Sequence, residues 1–102
     1  MAGLDSEQHR LLDVLGHRWA LRVVFELGGG ALGFNELRRR CDSMSPSVLS
    51  KRLNEMRGVS LVDHDDFDSW ELSEKGYAVA CALNTLVRVE KASPTESPGR
   101  AG

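Results

Sequence analysis

Residues 45–57 read SPSVLSKRLNEMR and predict a helix with one apolar and one polar face. Ser45 followed by Pro46 is typical of a helix start, because a hydroxyl can cap the first turn and a proline there loses no hydrogen bond. A helix of this kind packs one side on a core and presents the other to solvent. The apolar positions recur at helical spacing: Leu49, Leu53 and Met56.

Three further helices are predicted before this stretch, at about residues 5–15, 17–27 and 34–41, each with apolar residues at helical spacing. Three consecutive glycines at 28–30 end the second helix, because glycine readily adopts positive φ angles. Residues 42–45 are a turn, so the third and fourth helices form a helix-turn-helix pair.

Two short strands are predicted at residues 61–64 and 69–72, on either side of the polar tip DDFD at 65–68. A helix-turn-helix pair followed by a β-hairpin describes a winged helix-turn-helix. We therefore expect a mainly α fold with a small β-hairpin, formed by one domain at residues 1–91. A length of 102 residues, 41 % of them hydrophobic, suffices for one small domain and not for two.

The last helix is predicted at residues 74–91, with Ser73 as its cap. This helix is apolar on more than one side, so one face can pack on the domain while a second needs a partner. Residues 92–102 read ASPTESPGRAG, which is polar and rich in proline and glycine. We expect them to be a disordered tail.

Charge is distributed unevenly along the chain. The totals, 13 Lys and Arg against 15 Asp and Glu, give a net charge of −2 and argue against a globally basic nucleic-acid binder. Residues 34–57 nevertheless hold six basic and three acidic side chains, a local charge of +3. Residues 61–74 hold six acids and no Lys or Arg. We expect the helical pair to face phosphate and the acidic wing tip to stay out of a groove.

Several other classes of protein find no support in the sequence. No apolar run of about 18 residues exists, so no membrane span is expected. GGGALG at 28–33 matches a dinucleotide-binding pattern, but a helical run and not a strand precedes it. Two cysteines forty residues apart and three scattered histidines predict neither a disulfide framework nor a metal site. Cys41 falls on a core position of its helix. We expect no cofactor and no enzyme activity.

The polar face of the helix at 45–57 is the candidate surface for reading DNA, because the major groove admits one helix. Lysine and asparagine hydrogen-bond to guanine and adenine edges, respectively. Small hydroxyls near a helix start let the backbone approach phosphates. The candidate DNA-binding residues are Arg38, Arg39, Ser45, Ser47, Ser50, Lys51, Arg52 and Asn54.

Structural alternatives remain open for the arginines. Residues 38–40 could clamp phosphate or form a solvated helix face, and one of the three is expected to pair with Glu36 or Asp42. Arg52 lies nearer the flank of its helix and could instead pair with a nearby acid.

Four segments of the chain match a known family in the same order: LGHRW at 15–19, FNELR at 34–38, SPSVLSKRL at 45–53 and WELSEKG at 70–76. From about residue 5 to residue 89 the chain resembles the HxlR-type winged-helix regulators. The resemblance implies a bacterial homodimeric transcription regulator, paired through its first and last helices. It also implies that the helix at 45–57 reads operator DNA.

The chain departs from the family's pattern in three places. Many members carry a cysteine near the N-terminus that senses oxidants or electrophiles, whereas this chain has none before Cys41. Ser60 stands where the family usually has a glycine, and the wing is more acidic than usual. These departures bear on redox sensing and DNA affinity rather than on the fold.

The leading hypothesis is a sequence-specific regulator that binds double-stranded DNA as a homodimer in the cytoplasm, at the nucleoid. The first ten residues fit this location, since they lack the basic flank and apolar core of a secretory signal. The alternative is a protein-interaction module with weak or no DNA binding, whose acidic wing docks a partner. A small-molecule effector could also bind in the dimer crevice near Trp19 and the last helix.

Overall fold

The computed structural model describes residues 3–91, which form α-helices, a small antiparallel sheet and a terminal 3₁₀ turn. In chain order these elements are α1 (Ser6–Leu15), α2 (Ala20–Leu27), β1 (Leu32–Gly33), α3 (Phe34–Arg40), α4 (Pro46–Gly58), β2 (Val62–His64), β3 (Ser69–Leu72), α5 (Glu74–Arg88) and the 3₁₀ turn (Val89–Lys91). The expected mainly α fold with a small β-hairpin is confirmed. The tail predicted at residues 92–102 lies outside the described residues.

The first two helices begin with different kinds of N-terminus. The Asp5 carboxylate accepts a hydrogen bond from the Gln8 amide at 2.7 Å, and the Gln8 side chain accepts one from the Asp5 amide at 3.0 Å. This reciprocal capping box fixes the start of α1 where the sequence predicted it. The predicted start of α2 at residue 17 is wrong, because Trp19 has a φ of +76° and cannot continue a right-handed helix. α2 begins at Ala20.

α4 begins at Pro46, as predicted, but the predicted Ser45 side-chain cap does not form. The Ser45 hydroxyl hydrogen-bonds to the hydroxyl of Ser47 at 3.0 Å instead. The amides in the first turn of α4 are therefore left without a side-chain acceptor among the described residues.

The sheet contains a strand that the sequence did not reveal. β2 and β3 form the predicted hairpin, in which Val62 lies opposite Leu72. β1 pairs with the other edge of β3, so the strand order is β1-β3-β2. Two residues are too few to show the alternation that marks a strand. The pairing joins the wing to the connection between α2 and α3.

A single core fills the space between the helices and the sheet. Every α-helix contributes at least one buried side chain, and α2 and α4 contribute three or more each. Cys41 is fully buried at the end of α3, as its spacing predicted. The backbone approaches a glycine most closely where α5 meets the residue before β2: an added Cβ on Gly76 would collide with the carbonyl oxygen of Leu61.

α5 packs only one of its faces on this core. Ala80 and Leu83 are buried, whereas other large apolar side chains on α5 and the following turn are exposed: Tyr77, Leu86, Val87 and Val89. The α-helix ends at Arg88 rather than at the predicted residue 91, and the last three residues form the 3₁₀ turn. Within residues 3–91, none of the helices has the length and apolar character needed to cross a membrane.

Candidate nucleic-acid interface

α3 and α4 are joined by a tight turn at residues 41–45. Asp42 and Ser43 both adopt left-handed backbone conformations, with φ of +58° and +56°. The Ser43 amide returns to the carbonyl of Arg38 at 3.0 Å. The Arg38 guanidinium also donates through Nε to the Met44 carbonyl at 2.6 Å. Arg38 therefore fixes the turn from inside instead of pointing freely into solvent.

One face of α4 is exposed and polar, while the opposite face is buried in the core. Within the described part of the chain, the side chains of Ser50, Lys51 and Asn54 make no hydrogen bond or ion pair, so they can form new ones. The exposed face is made up of Ser47, Ser50, Lys51 and Asn54, and we call it the α4 face.

The two remaining arginines of α3 share one carboxylate. Arg40 donates to Glu36 at 3.0 Å, and Arg39 pairs with the other oxygen of the same side chain. Hydrogen bonds from Arg39 and then Arg40 hold the pKa of Glu36 below its ordinary value. One arginine of residues 38–40 was expected to pair with Glu36 or Asp42, and two of them pair with Glu36. The side chains of both arginines remain exposed to solvent, 66 % for Arg39 and 49 % for Arg40.

Arg52 connects α4 to the turn between α1 and α2. Its Nε donates to the Arg18 carbonyl at 2.7 Å, and its Nη1 donates to the Glu55 carboxylate at 2.8 Å. His17 reaches the same carboxylate oxygen at 3.1 Å. Only 15 % of the Arg52 side chain is exposed, so its contacts match the structural alternative raised from the sequence. Desolvation raises the pKa of Glu55, but the bonds from Arg52 and His17 outweigh it and leave that pKa lowered.

The tip of the wing is acidic and is held by internal hydrogen bonds. The Asp65 carboxylate accepts hydrogen bonds from the amides of Phe67 and Ser69, each at 2.8 Å. His64 stacks on the Trp70 ring with centroids 4.0 Å apart and contacts Asp68 at 3.1 Å. The Phe67 side chain is 89 % exposed.

Two clefts lie on the side of α2. The first, of about 460 Å³, is almost entirely apolar and runs between α2 and α5, with Phe25 and Leu86 in its lining. The second, of about 490 Å³, surrounds the turn at Trp19 and is more polar. Leu21 and Arg22 line both clefts.

A helix-turn-helix also characterises the known protein family that this chain matches. A family model described as HxlR-like helix-turn-helix matches residues 14–96. This chain belongs to the HxlR-like helix-turn-helix family. It is 30 % identical over 83 residues to the HTH-type transcriptional regulator YvaP of Bacillus subtilis (strain 168), covering 76 % of this chain and 77 % of YvaP. The family is one of transcription regulators and not of enzymes, so this HxlR-like protein is a DNA-binding transcription regulator.

Solved structures show the same fold. A protein of Thermoplasma volcanium GSS1, described as a possible HxlR family transcriptional factor, superposes with a TM-score of 0.75 and 25 % identity. The match covers 86 % of this HxlR-like chain and 84 % of that protein. The quinone-bound YodB of Bacillus subtilis has a TM-score of 0.74 at 22 % identity, with coverage of 86 % and 98 %. At that identity the likeness concerns the fold alone.

The sequence alone does not single out Arg22 on α2. Its guanidinium nevertheless reaches the turn between α3 and α4 in this HxlR-like fold. No local signal could reveal this, because the partners lie 18 and 20 residues further along the chain.

Proposed function

We propose that this regulator binds operator DNA as a homodimer, with α4 in the major groove. The observation that carries the proposal is the α4 face, which is polar and exposed and whose Ser50, Lys51 and Asn54 side chains have no partners among the described residues. An α-helix fits the major groove, where side chains reach base edges. Lys51 would contact guanine and Asn54 adenine.

Phosphate contacts would come from the start of α4 and from α3. The uncapped amides after Ser45 attract anions at the positive end of the helix dipole, and the small side chains of Ser47 and Ser50 allow close approach. Arg39 is more exposed than Arg40 on α3 and would serve as the phosphate clamp. Arg38 and Arg52 would act indirectly, by holding the turn and α4 in place.

The homodimer would form through α1 and α5. Both helices expose large apolar side chains: Leu12 on α1 is 53 % exposed, and Leu86 on α5 is 60 % exposed. A partner subunit would remove this apolar surface from water, which is favourable in proportion to its area. Two α4 helices would then enter successive major grooves, with half-sites about 34–36 Å apart.

The test is fluorescence anisotropy on a labelled duplex from DNA upstream of the gene, against a scrambled duplex, at about 50 and 200 mM salt. We expect clear preference for the native duplex. Lys51→Ala and Asn54→Ala should each weaken discrimination by about 1–3 kcal/mol at one base pair. Lys91→Ala, which removes an exposed lysine far from α4 in sequence, is the matched control. Equal, weak binding of both duplexes by the unmodified protein would refute the proposal.

A second candidate function is favoured by the wing. A nearly fully exposed phenylalanine between acidic side chains suits a protein partner with a basic rim and an apolar pocket. In this case duplex binding would be weak and insensitive to Lys51→Ala, while Phe67→Ala would abolish binding to the partner. The first proposal includes a cytoplasmic location at the nucleoid. It also includes a small-molecule effector bound in the dimer crevice near Trp19 and α5.

A further inference from the structure

The turn of the helix-turn-helix has a backbone that needs support. Asp42 and Ser43 are consecutive non-glycine residues in the left-handed region, which L-amino acids rarely adopt singly and more rarely in succession. The direction in which α4 leaves α3 depends on these two residues. Contacts that hold them therefore also set the direction of α4.

Arg22 on α2 makes such contacts in three directions. Its Nη2 donates to the Arg40 carbonyl at 2.6 Å, and its Nη1 lies 3.4 Å from the Asp42 carboxylate. Its Nε donates to Glu26 at 2.8 Å, and the Glu26 side chain is only 16 % exposed. The Arg40 carbonyl lies at the end of α3, where carbonyls lack helical partners and a cation is favourable.

The geometry distinguishes Arg22 from a phosphate clamp. All three of its guanidinium nitrogens face protein acceptors, whereas the side chains of Arg39 and Arg40 are more exposed. Arg22 also belongs to α2, outside the helix-turn-helix pair. Its side chain joins the turn to a helix whose core positions are fully buried.

We propose that Arg22 is a positioning residue for DNA recognition: it ties the turn to α2 and so fixes the angle at which α4 meets the groove. This inference rests on the proposed use of α4. Lysine cannot replace the arginine, because a single ammonium cannot bridge acceptors lying in three directions as a planar guanidinium does.

The first experiment compares Arg22→Gln and Arg22→Lys with Lys91→Gln. Lys91 is exposed in the terminal 3₁₀ turn after α5, and its side chain makes no hydrogen bond or ion pair within residues 3–91, so Lys91→Gln removes one positive charge away from the proposed contacts. Operator affinity should fall about tenfold in both Arg22 variants, comparable to a mismatched base pair, and should not change in Lys91→Gln. The affinity for a scrambled duplex should change little.

The salt dependence separates positioning from phosphate contact. Because no phosphate contact is lost, the slope of log affinity against log salt should stay the same in the Arg22 variants. A slope reduced by about 0.9 per subunit, with equal losses on both duplexes, would show that Arg22 contacts phosphate and would overturn the proposal. Unchanged operator affinity in Arg22→Gln would overturn it too.

Amide hydrogen exchange gives a readout that does not require DNA. Arg22→Gln should increase exchange at Ser43 and Met44, whose amides are bonded within the turn, while amides in the middle of α4 keep their protection. Asp42→Asn, which leaves the bond to the Arg40 carbonyl in place, should show a smaller effect of the same kind. If Arg22→Gln does not fold, the Asp42→Asn variant tests the proposal in its place. Unchanged amide exchange and unchanged operator affinity in Asp42→Asn would then overturn the proposal. Absence of operator preference in the unmodified protein would instead refute the proposed function.

Discussion

Replacing Glu36 by glutamine should strengthen DNA binding while weakening the fold. The Glu36 carboxylate is the shared partner of Arg39 and Arg40, and the hydrogen bonds from these two arginines lower its pKa. The amide of glutamine cannot neutralise either arginine. The charge of residues 34–57 then rises from +3 to +4, as six basic side chains face two acids instead of three.

The magnitude follows from counterion release. If one released guanidinium gains one phosphate contact, the slope of log affinity against log salt steepens by about 0.9 per subunit. Between about 50 and 200 mM salt this corresponds to roughly 3.5-fold in the ratio of affinities per subunit and about 12-fold for a dimer. The melting temperature should fall, because the two ion pairs on α3 are lost.

Anisotropy titrations at several salt concentrations measure the slope, and thermal unfolding measures the stability. Glu90→Gln is the matched control, since Glu90 is exposed in the terminal 3₁₀ turn, in an element separate from α3. A slope that is unchanged in Glu36→Gln, or that changes equally in both variants, would show that α3 does not contact phosphate. The role of Arg39 would then have to be abandoned.

Four other substitutions and modifications test the fold. Gly76→Ala should destabilise the protein by about 3 kcal/mol in denaturant titrations, because the new Cβ meets a backbone carbonyl; a smaller loss than Ala78→Gly would contradict this. Ser60→Gly should stabilise it by up to about 1 kcal/mol, since Ser60 has a φ of +62°. Glu55→Gln should lower the free energy of unfolding by about 1 kcal/mol at neutral pH. Because the pKa of Glu55 is lowered in the folded protein, the difference in stability between Glu55→Gln and the unmodified protein should be present above pH 4.5, the ordinary pKa of glutamate, and should disappear as the pH falls below that value. Burial raises the pKa of Cys41 to about 11, so mass spectrometry after iodoacetamide treatment near neutral pH should find Cys81 alkylated and Cys41 unmodified until the protein unfolds.

The elements that the sequence predicts well are those with a local cause. The apolar period places α4 within one residue of its observed end, and the glycines after α2 mark its termination. The start of α2 is missed because nothing in the residue type of Trp19 indicates a left-handed backbone. β1 is missed because its partner strand lies more than thirty residues away along the chain.

The candidate site divides in the same way. Helical periodicity alone brings Lys51 and Asn54 onto one exposed face of α4. The contacts of the arginines depend on the tertiary fold: Arg52 bonds to a carbonyl 34 residues earlier, and Arg22 to one 18 residues later. A charged residue type therefore indicates a capacity for pairing, and only the fold determines whether its partner is DNA or the protein.

The attachment of β3 on both edges makes the wing tip a place where charge can be redesigned independently of α4. β1 and β2 hold β3 along its length, and the tip at residues 65–68 extends beyond this support. Asp65 is the tip residue whose carboxylate organises the turn, so Asp66 could be exchanged for lysine while the turn is retained. Introducing a basic tip in this way would give variants that differ in charge at the wing but share the same α4 face.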